Sequence, residues 1–145
     1  MRVLAIDFGR RRVGLALSDP SGIVASPLEV LDRRERKDWF AVILQRIVDL
    51  QVVHLVVGLP RHMDGSYGEA AQACQKFADE LKERSGLPLT MIDERLTSTA
   101  AHASLREGGT RAKAAKGRVD AVAASLLLQI FLSRNASVPS EGPPA

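Results

Sequence analysis

The period of the hydrophobic positions changes several times along this chain, and each change marks an element. Val3 to Ile6 is a short apolar run and Val13 to Leu17 an alternating one, joined by Phe8-Gly9-Arg10-Arg11-Arg12; together they predict two antiparallel strands with a tight connection. Ile23 to Leu31 predicts a third strand, entered through Pro20-Ser21-Gly22. Pro27 inside it favours a sheet edge, because proline donates no ladder hydrogen bond. From Glu35 to Leu50, Phe40, Ile43, Leu44 and Ile47 recur at helical spacing, and Val52 to Val57 then reads as a continuous apolar strand closed by Gly58-Leu59-Pro60. Glu69 to Arg84 predicts a second amphipathic helix, with Ala70, Cys74, Phe77 and Leu81 on one stripe and Gly86 as its stop, before a strand from Leu89 to Ile92. Thr97 or Ser98 is placed to cap a helix reaching Glu107, which Gly108-Gly109 ends. A last helix, from about Lys116 to Ser133, is expected to bury Val119, Val122, Ala123, Leu126, Leu127 and Ile130.

Three strands followed by alternating helices and strands give the order βββαβαβα. Parallel pairing in the second half requires right-handed crossovers, which puts helices on both faces of a five-stranded mixed sheet and the fourth and fifth strands beside the first. This α/β arrangement, with an acidic residue ending the first strand, matches the ribonuclease H-like fold. The chain's 145 residues suit one compact domain, expected over 1–134. Residues 135–145 hold three prolines and little apolar bulk, so a disordered tail is expected there.

Composition narrows the class. No early stretch joins a basic start, an apolar core and a small-residue cleavage site, and no apolar run approaches the roughly 18 residues of a membrane span, so the expected location is the cytoplasm. The single cysteine, Cys74, excludes a disulfide within the chain and reads as a buried small hydrophobe. The net charge of +3 is unevenly spread. Residues 1–18 set four arginines against Asp7, and residues 106–118 set five cations against Glu107. Such runs usually decorate a solvated surface. Here both flank acidic residues, and a phosphate backbone needs cations beside carboxylates that would otherwise repel it.

The candidate chemistry lies in three acids: Asp7 at the end of the first strand, Glu94 after the fifth, and Asp120 in the first turns of the last helix. The first two would emerge at one edge of the sheet, and Asp120, one position off the expected apolar stripe, would point back across that edge. Three carboxylates converging there suit hard divalent cations, Mg²⁺ or Mn²⁺, acting on a phosphodiester. Zinc is not indicated: His54 lies in an apolar strand, and His62 and His102 have no partners at ligand spacing. Singly, each acid also has an ordinary structural reading: a turn at Asp7, an ion pair of Glu94 with Arg95, an i, i+4 pair of Asp120 with Lys116. The nucleic-acid contacts expected from the basic runs are Arg10, Arg11, Arg12, Arg95, Arg111, Lys113, Lys116 and Arg118.

At these residues the chain resembles a known family. Ala5-Ile6-Asp7-Phe8-Gly9, then Arg12-Val13-Gly14-Leu15-Ala16 with Ser18-Asp19, Gly58-Leu59-Pro60 with Met63-Asp64-Gly65-Ser66, Asp93-Glu94-Arg95-Leu96-Thr97, and Lys116 with Asp120-Ala121 are similar to the signatures of the YqgF family, also called RuvX. They occur in the family's order and reach to about residue 132. The resemblance implies a ribonuclease H-like nuclease related to the RuvC resolvases, cytoplasmic, maturing the 5′ end of small-subunit ribosomal RNA, with cutting of Holliday junctions as the alternative role. It also implies that Asp7, Glu94 and Asp120 are the family's acidic triad.

Two other classes compete. Asp7-Phe8-Gly9 with Gly14 resembles the first phosphate turn of actin-like ATPases, which bind nucleotide between two such domains where this chain has length for one. A nucleic-acid-binding module without catalysis is the other, although such modules typically lose an acid and this chain keeps all three. RNA and branched DNA both remain open as partner, as do monomer and homodimer; a single Trp39 and a single Tyr67 offer no evident base-stacking platform.

Overall fold

The computed structural model describes residues 1–60, 68–94 and 119–136. Its elements are β1 (Arg2–Phe8), β2 (Arg12–Ser18), β3 (Ala25–Asp32), α1 (Trp39–Asp49), β4 (Val52–Leu59), α2 (Glu69–Ser85), β5 (Leu89–Asp93) and α3 (Val119–Ala136). One five-stranded sheet runs in the order β3-β2-β1-β4-β5. The first three strands pair antiparallel, while β4 is parallel to both β1 and β5. The fourth strand thus lies beside the first as expected, but the fifth lies beside the fourth. With β2 already on one side of β1, the other side has room for a single strand.

Strand alternation sends successive side chains to opposite faces, and each face has its own core. Leu4 and Ile6 of β1, with Val13, Leu15, Leu55 and Val57, pack against Ile43 and Ile47 of α1 and Phe77 and Leu81 of α2. Val3 and Ala5, with Ala16, Val56 and Ile92, pack against Ala124, Leu127, Leu128 and Phe131 of α3. Coverage on both faces is why Leu55, Val56 and Val57 form an unbroken buried apolar run. Pro27 sits on the edge strand, where the register slips between Leu15 and Ala16.

Several boundaries differ from the sequence expectation for local reasons. The third strand starts at Ala25, not Ile23, because Asp19 Oδ1 accepts the N–H groups of Ile23 (2.8 Å) and Val24 (2.9 Å) and keeps them out of the ladder. Helix α1 starts at Trp39, not Glu35, because Asp32 Oδ1 accepts the N–H groups of Arg34 (2.9 Å) and Glu35 (3.3 Å) in a preceding turn. In α2 the buried residue is Ala71 and Ala70 is exposed. Gly86 does stop that helix, at φ 71°, with its N–H donated to the Lys82 carbonyl.

Helix α3 corrects the expected stripe. Its buried residues are Ala121, Ala124, Leu127, Leu128, Phe131 and Leu132, so of the expected residues whose side chains are described only Leu127 is on the buried face. The helix is apolar nearly all round, and periodicity then selects no face. It also continues to Ala136, two residues into the segment expected to be disordered; 137–145 lie outside the described residues, as does the helix expected from Thr97 or Ser98 to Glu107. Among the described residues no helix is long and apolar enough to cross a membrane.

Candidate active site

Asp7 lies on β1 opposite Gly14 of β2, one step past Ile6, whose β4 partner is Val57. Val3 and Ala5 face α3, and alternation turns Asp7 to the same side. Two neighbouring glycines open this face. A Cβ on Gly14 would lie 2.0 Å from the Asp120 carbonyl oxygen and 2.8 Å from the Ala121 nitrogen, so the first turn of α3 rests directly on the sheet. A Cβ on Gly58 would lie 2.7 Å from Glu94 Cγ and 2.9 Å from its Oε1, so the Glu94 side chain occupies the space over Gly58. Glu94 is fixed from below because its N–H donates to the Leu59 carbonyl at 3.0 Å, extending the β4–β5 pairing by one residue.

Asp120 reaches the same edge for a reason opposite to the one expected from sequence. It stands four, seven and eleven positions before Ala124, Leu127 and Phe131, hence on the buried stripe of α3 and not beside it. The face that packs on the sheet carries it past the strand ends toward Asp7.

The electrostatics express this convergence. Burial, then a side-chain hydrogen bond with Glu94, then the charge of Glu94 push the Asp7 carboxyl up to about 9. Burial also raises Asp120, the charge of Asp7 raises it further, and the Arg12 guanidinium opposes both. Asp7 is therefore favoured in its protonated form, hydrogen-bonded to Glu94, while Asp120 meets Asp7 through charge. Among the described residues no three His, Cys, Asp or Glu side chains are gathered tightly enough to hold an ion as they stand. The donors are nonetheless all carboxylate oxygens, the set that hard divalent cations take. Beneath them the Cys74 thiol donates to the Gly58 carbonyl at 3.0 Å; burial, then Glu94, then Asp7 push it up to about 12.

The basic candidates divide. Arg12 begins β2 and acts on Asp120; Arg10 is exposed at the tip of the β1–β2 turn; Arg11 pairs with Asp32 at 3.2 Å. Arg95, Arg111, Lys113, Lys116 and Arg118 lie outside the described residues, as do His62, His102 and most of the loop His62 to Gly68. His54 sits 2.8 Å from Thr90 Oγ1 and stacks on Phe131 at 4.8 Å, and burial lowers its pKa.

One residue beside the site was missed. Arg33 stacks over Phe8 and over Trp39, at 4.7 Å from each ring centroid, and its Nη1 donates to the carbonyls of Gly9 (2.9 Å) and Arg10 (3.1 Å). The signal was the basic run Arg33-Arg34-Glu35-Arg36-Lys37, masked because residues 19–105 are acidic in sum.

Comparison with known proteins bears on the family and the fold. Relatives described by name as candidate pre-16S rRNA nucleases include one from Lachnospira eligens, 42% identical over 135 residues (91% of this chain, 96% of that protein), and one from Roseiflexus sp., 44% identical over 131 residues (90% and 93%). Among solved structures, RuvC of Thermus thermophilus in complex with Holliday junction substrate superposes with a TM-score of 0.57 at 13% identity, covering 94% of this chain and 97% of that one. Fowlpox virus resolvase with its substrate Holliday junction DNA gives 0.59 at 10% identity, covering 93% and 99%. These likenesses bear out the expected ribonuclease H-like fold. A family model described as "RuvX: Holliday junction resolvase" matches residues 1–134, and with relatives above 40% identity along nine tenths of its length this chain belongs to the RuvX family.

Proposed function

We propose that this chain is a divalent-cation-dependent nuclease, a hydrolase of phosphodiester bonds, that trims the 5′ end of pre-16S rRNA in the cytoplasm with residues 1–134 acting as one unit. The observation that carries the reading is the Asp7–Glu94 contact: two carboxylates, from the ends of β1 and β5, turned toward each other across the end of β4, with Asp7 held protonated far above its ordinary range. Carboxyls shifted by burial and by each other cluster at functional sites, and a cation in place of the proton would relieve both costs. The names of the relatives supply the substrate.

In this reading Asp7, Glu94 and Asp120 would hold Mg²⁺ or Mn²⁺, which would supply neutralisation of charge at the phosphate and activation of water. The chain's own residues do the rest. Asp7 is fixed by a central strand, paired on both sides, which suits it to be the anchoring ligand. Glu94 and Asp120 approach it from either side, over Gly58 and from the helix seated on Gly14. Arg12 offsets the carboxylates' repulsion of an incoming phosphate, and Arg10, Arg11, Arg95, Arg111, Lys113, Lys116 and Arg118 are assigned to grip the backbone.

Branched DNA is the second reading, favoured by the family description and by junction substrates in the structural neighbours. It requires a homodimer, since two symmetric cuts need two sites, whereas a monomer suffices for a single cut in RNA. The deciding experiment incubates the purified protein with single-stranded RNA, duplex RNA, single-stranded DNA and four-way junctions, in Mg²⁺, Mn²⁺ or chelator. Cutting confined to RNA supports the first reading, and paired cuts in junctions support the second. Binding without cutting in any cation would leave a nucleic-acid module without catalysis.

A further inference from the structure

On the other side of the sheet edge from Asp7, a cleft of about 230 Å³ opens between the β1–β2 turn and the start of α2. Phe8, Arg10 and Arg33 form one wall; Glu69, Ala70 and Ala73 form the other. We infer that this cleft binds a backbone phosphate of the substrate strand, next to the one that is cut, with Arg33 as its fork and Arg10 as a second cation. The inference deepens the nuclease reading and rests on it.

Arg33 is prepared for this contact. Its guanidinium is half-buried and fixed by two rings and by two hydrogen bonds, all of the latter made through Nη1. Nε and Nη2 donate to nothing among the described residues, which leaves the side-on fork that receives two phosphate oxygens at once. Little side-chain freedom is left to lose on binding, so more of the contact energy becomes affinity. Arg10 has no ion-pair partner among the described residues, whereas Arg11 and Arg36 are occupied by Asp32 and Asp38. Glu69 is the one anion in the cleft. It lies in the first turn of α2, where the helix N–H groups offset its charge, and two arginines face it.

Position supplies the register. Phe8 follows Asp7 directly and faces the α1 and α2 side, while Asp7 faces α3. A strand whose scissile phosphate lies at Asp7 and which crosses the sheet edge therefore passes the cleft within a nucleotide or so of the cut.

The test is binding of fluorescent single-stranded RNA and DNA in chelator over a range of salt, with thermal melting of each variant as the folding control. Arg33→Lys keeps the charge and removes the fork; a loss of about tenfold in affinity is expected. Arg33→Ala should also reduce the log-log salt slope by about 0.7, one single-strand phosphate contact. Because Arg33→Ala also frees the turn, Arg10→Ala and Glu69→Gln carry the test independently: the first should weaken binding and the second should tighten it. Parental affinity and slope in Arg33→Lys, Arg10→Ala and Glu69→Gln, with a parent that binds and cuts, overturns the cleft and leaves the nuclease reading intact. A parent that neither binds nor cuts any nucleic acid overturns both.

Discussion

Gly14 and Asp120 touch through their backbones so closely that a methyl group on Gly14 would overlap the Asp120 carbonyl, at 2.0 Å. Since Gly14 is also the β2 partner of Asp7, a single missing side chain seats the last helix and brings its carboxylate to the first strand. Gly14→Ala should therefore lower stability by about 1 to 3 kcal/mol through overpacking and abolish cleavage by lifting Asp120. Gly86→Ala is the control. It strains a position at φ 71° with nothing within 4 Å, far from the carboxylates, and should cost about 1 kcal/mol with cleavage retained. Melting and single-turnover cutting of both variants would check this, and equal cutting by Gly14→Ala and Gly86→Ala would refute it.

Asp7→Asn preserves shape and removes one of two facing charges. Cleavage in Mn²⁺ should fall by about a thousandfold or more, while in chelator at pH 8 the variant should melt at or above the parent temperature, since an amide faces Glu94 without the folded state having to take up a proton. Similar losses of cleavage are expected for Glu94→Gln and Asp120→Asn. Parental cutting rates in any of the three would remove that residue from the assignment.

Much of this site was legible because its parts are local. Asp7 and Glu94 each come just after a short, largely apolar run bounded by turn residues, which reads as a strand, and the element order then brings both to one sheet edge. Asp120 was expected at this edge for a partly mistaken reason: α3 is apolar around most of its circumference, so the sequence could not say which face packs, and the acid lies on the packed stripe. Arg33 and the seat of α3 on Gly14 depend on chain segments far apart in sequence, joined only when β3 returns beside β2 and the last helix packs on the sheet. No periodicity or spacing records such contacts.

Cys74 should be inert. Its thiol is fully buried, donates to the Gly58 carbonyl, and is pushed up to about 12 by burial and two nearby carboxylates. Thiolate is the reactive form, so native protein should resist iodoacetamide at pH 8 for hours and react only at the rate of unfolding. Rapid alkylation of folded protein would show that α2 opens from β4 under native conditions. Cys74→Ser, which keeps a donor toward Gly58, should retain cleavage.

The Asp7 proton also predicts how stability depends on pH. The carboxyl titrates near 3.8 when unfolded and at about 9 in the folded, cation-free protein, so between those values the native state binds the extra proton. Unfolding then releases it, and stability must fall as pH rises through this window, by up to about 1.4 kcal/mol per unit. The stabilisation is complete below about pH 4 and lost once the folded group ionises near pH 9; the upward shift of Asp120 acts in the same direction. A dication competing with that proton binds better as pH rises, so stabilisation by Mn²⁺ should be larger at pH 8 than at pH 5. Melting temperatures from pH 5 to 9, in chelator and in Mn²⁺, measure both effects. The parent should show a downward slope in chelator that Asp7→Asn lacks and Mn²⁺ flattens. Parallel slopes for the two proteins would mean that Asp7 carries no unusual proton, and the electrostatic case for a cation between Asp7 and Glu94 would fail with it.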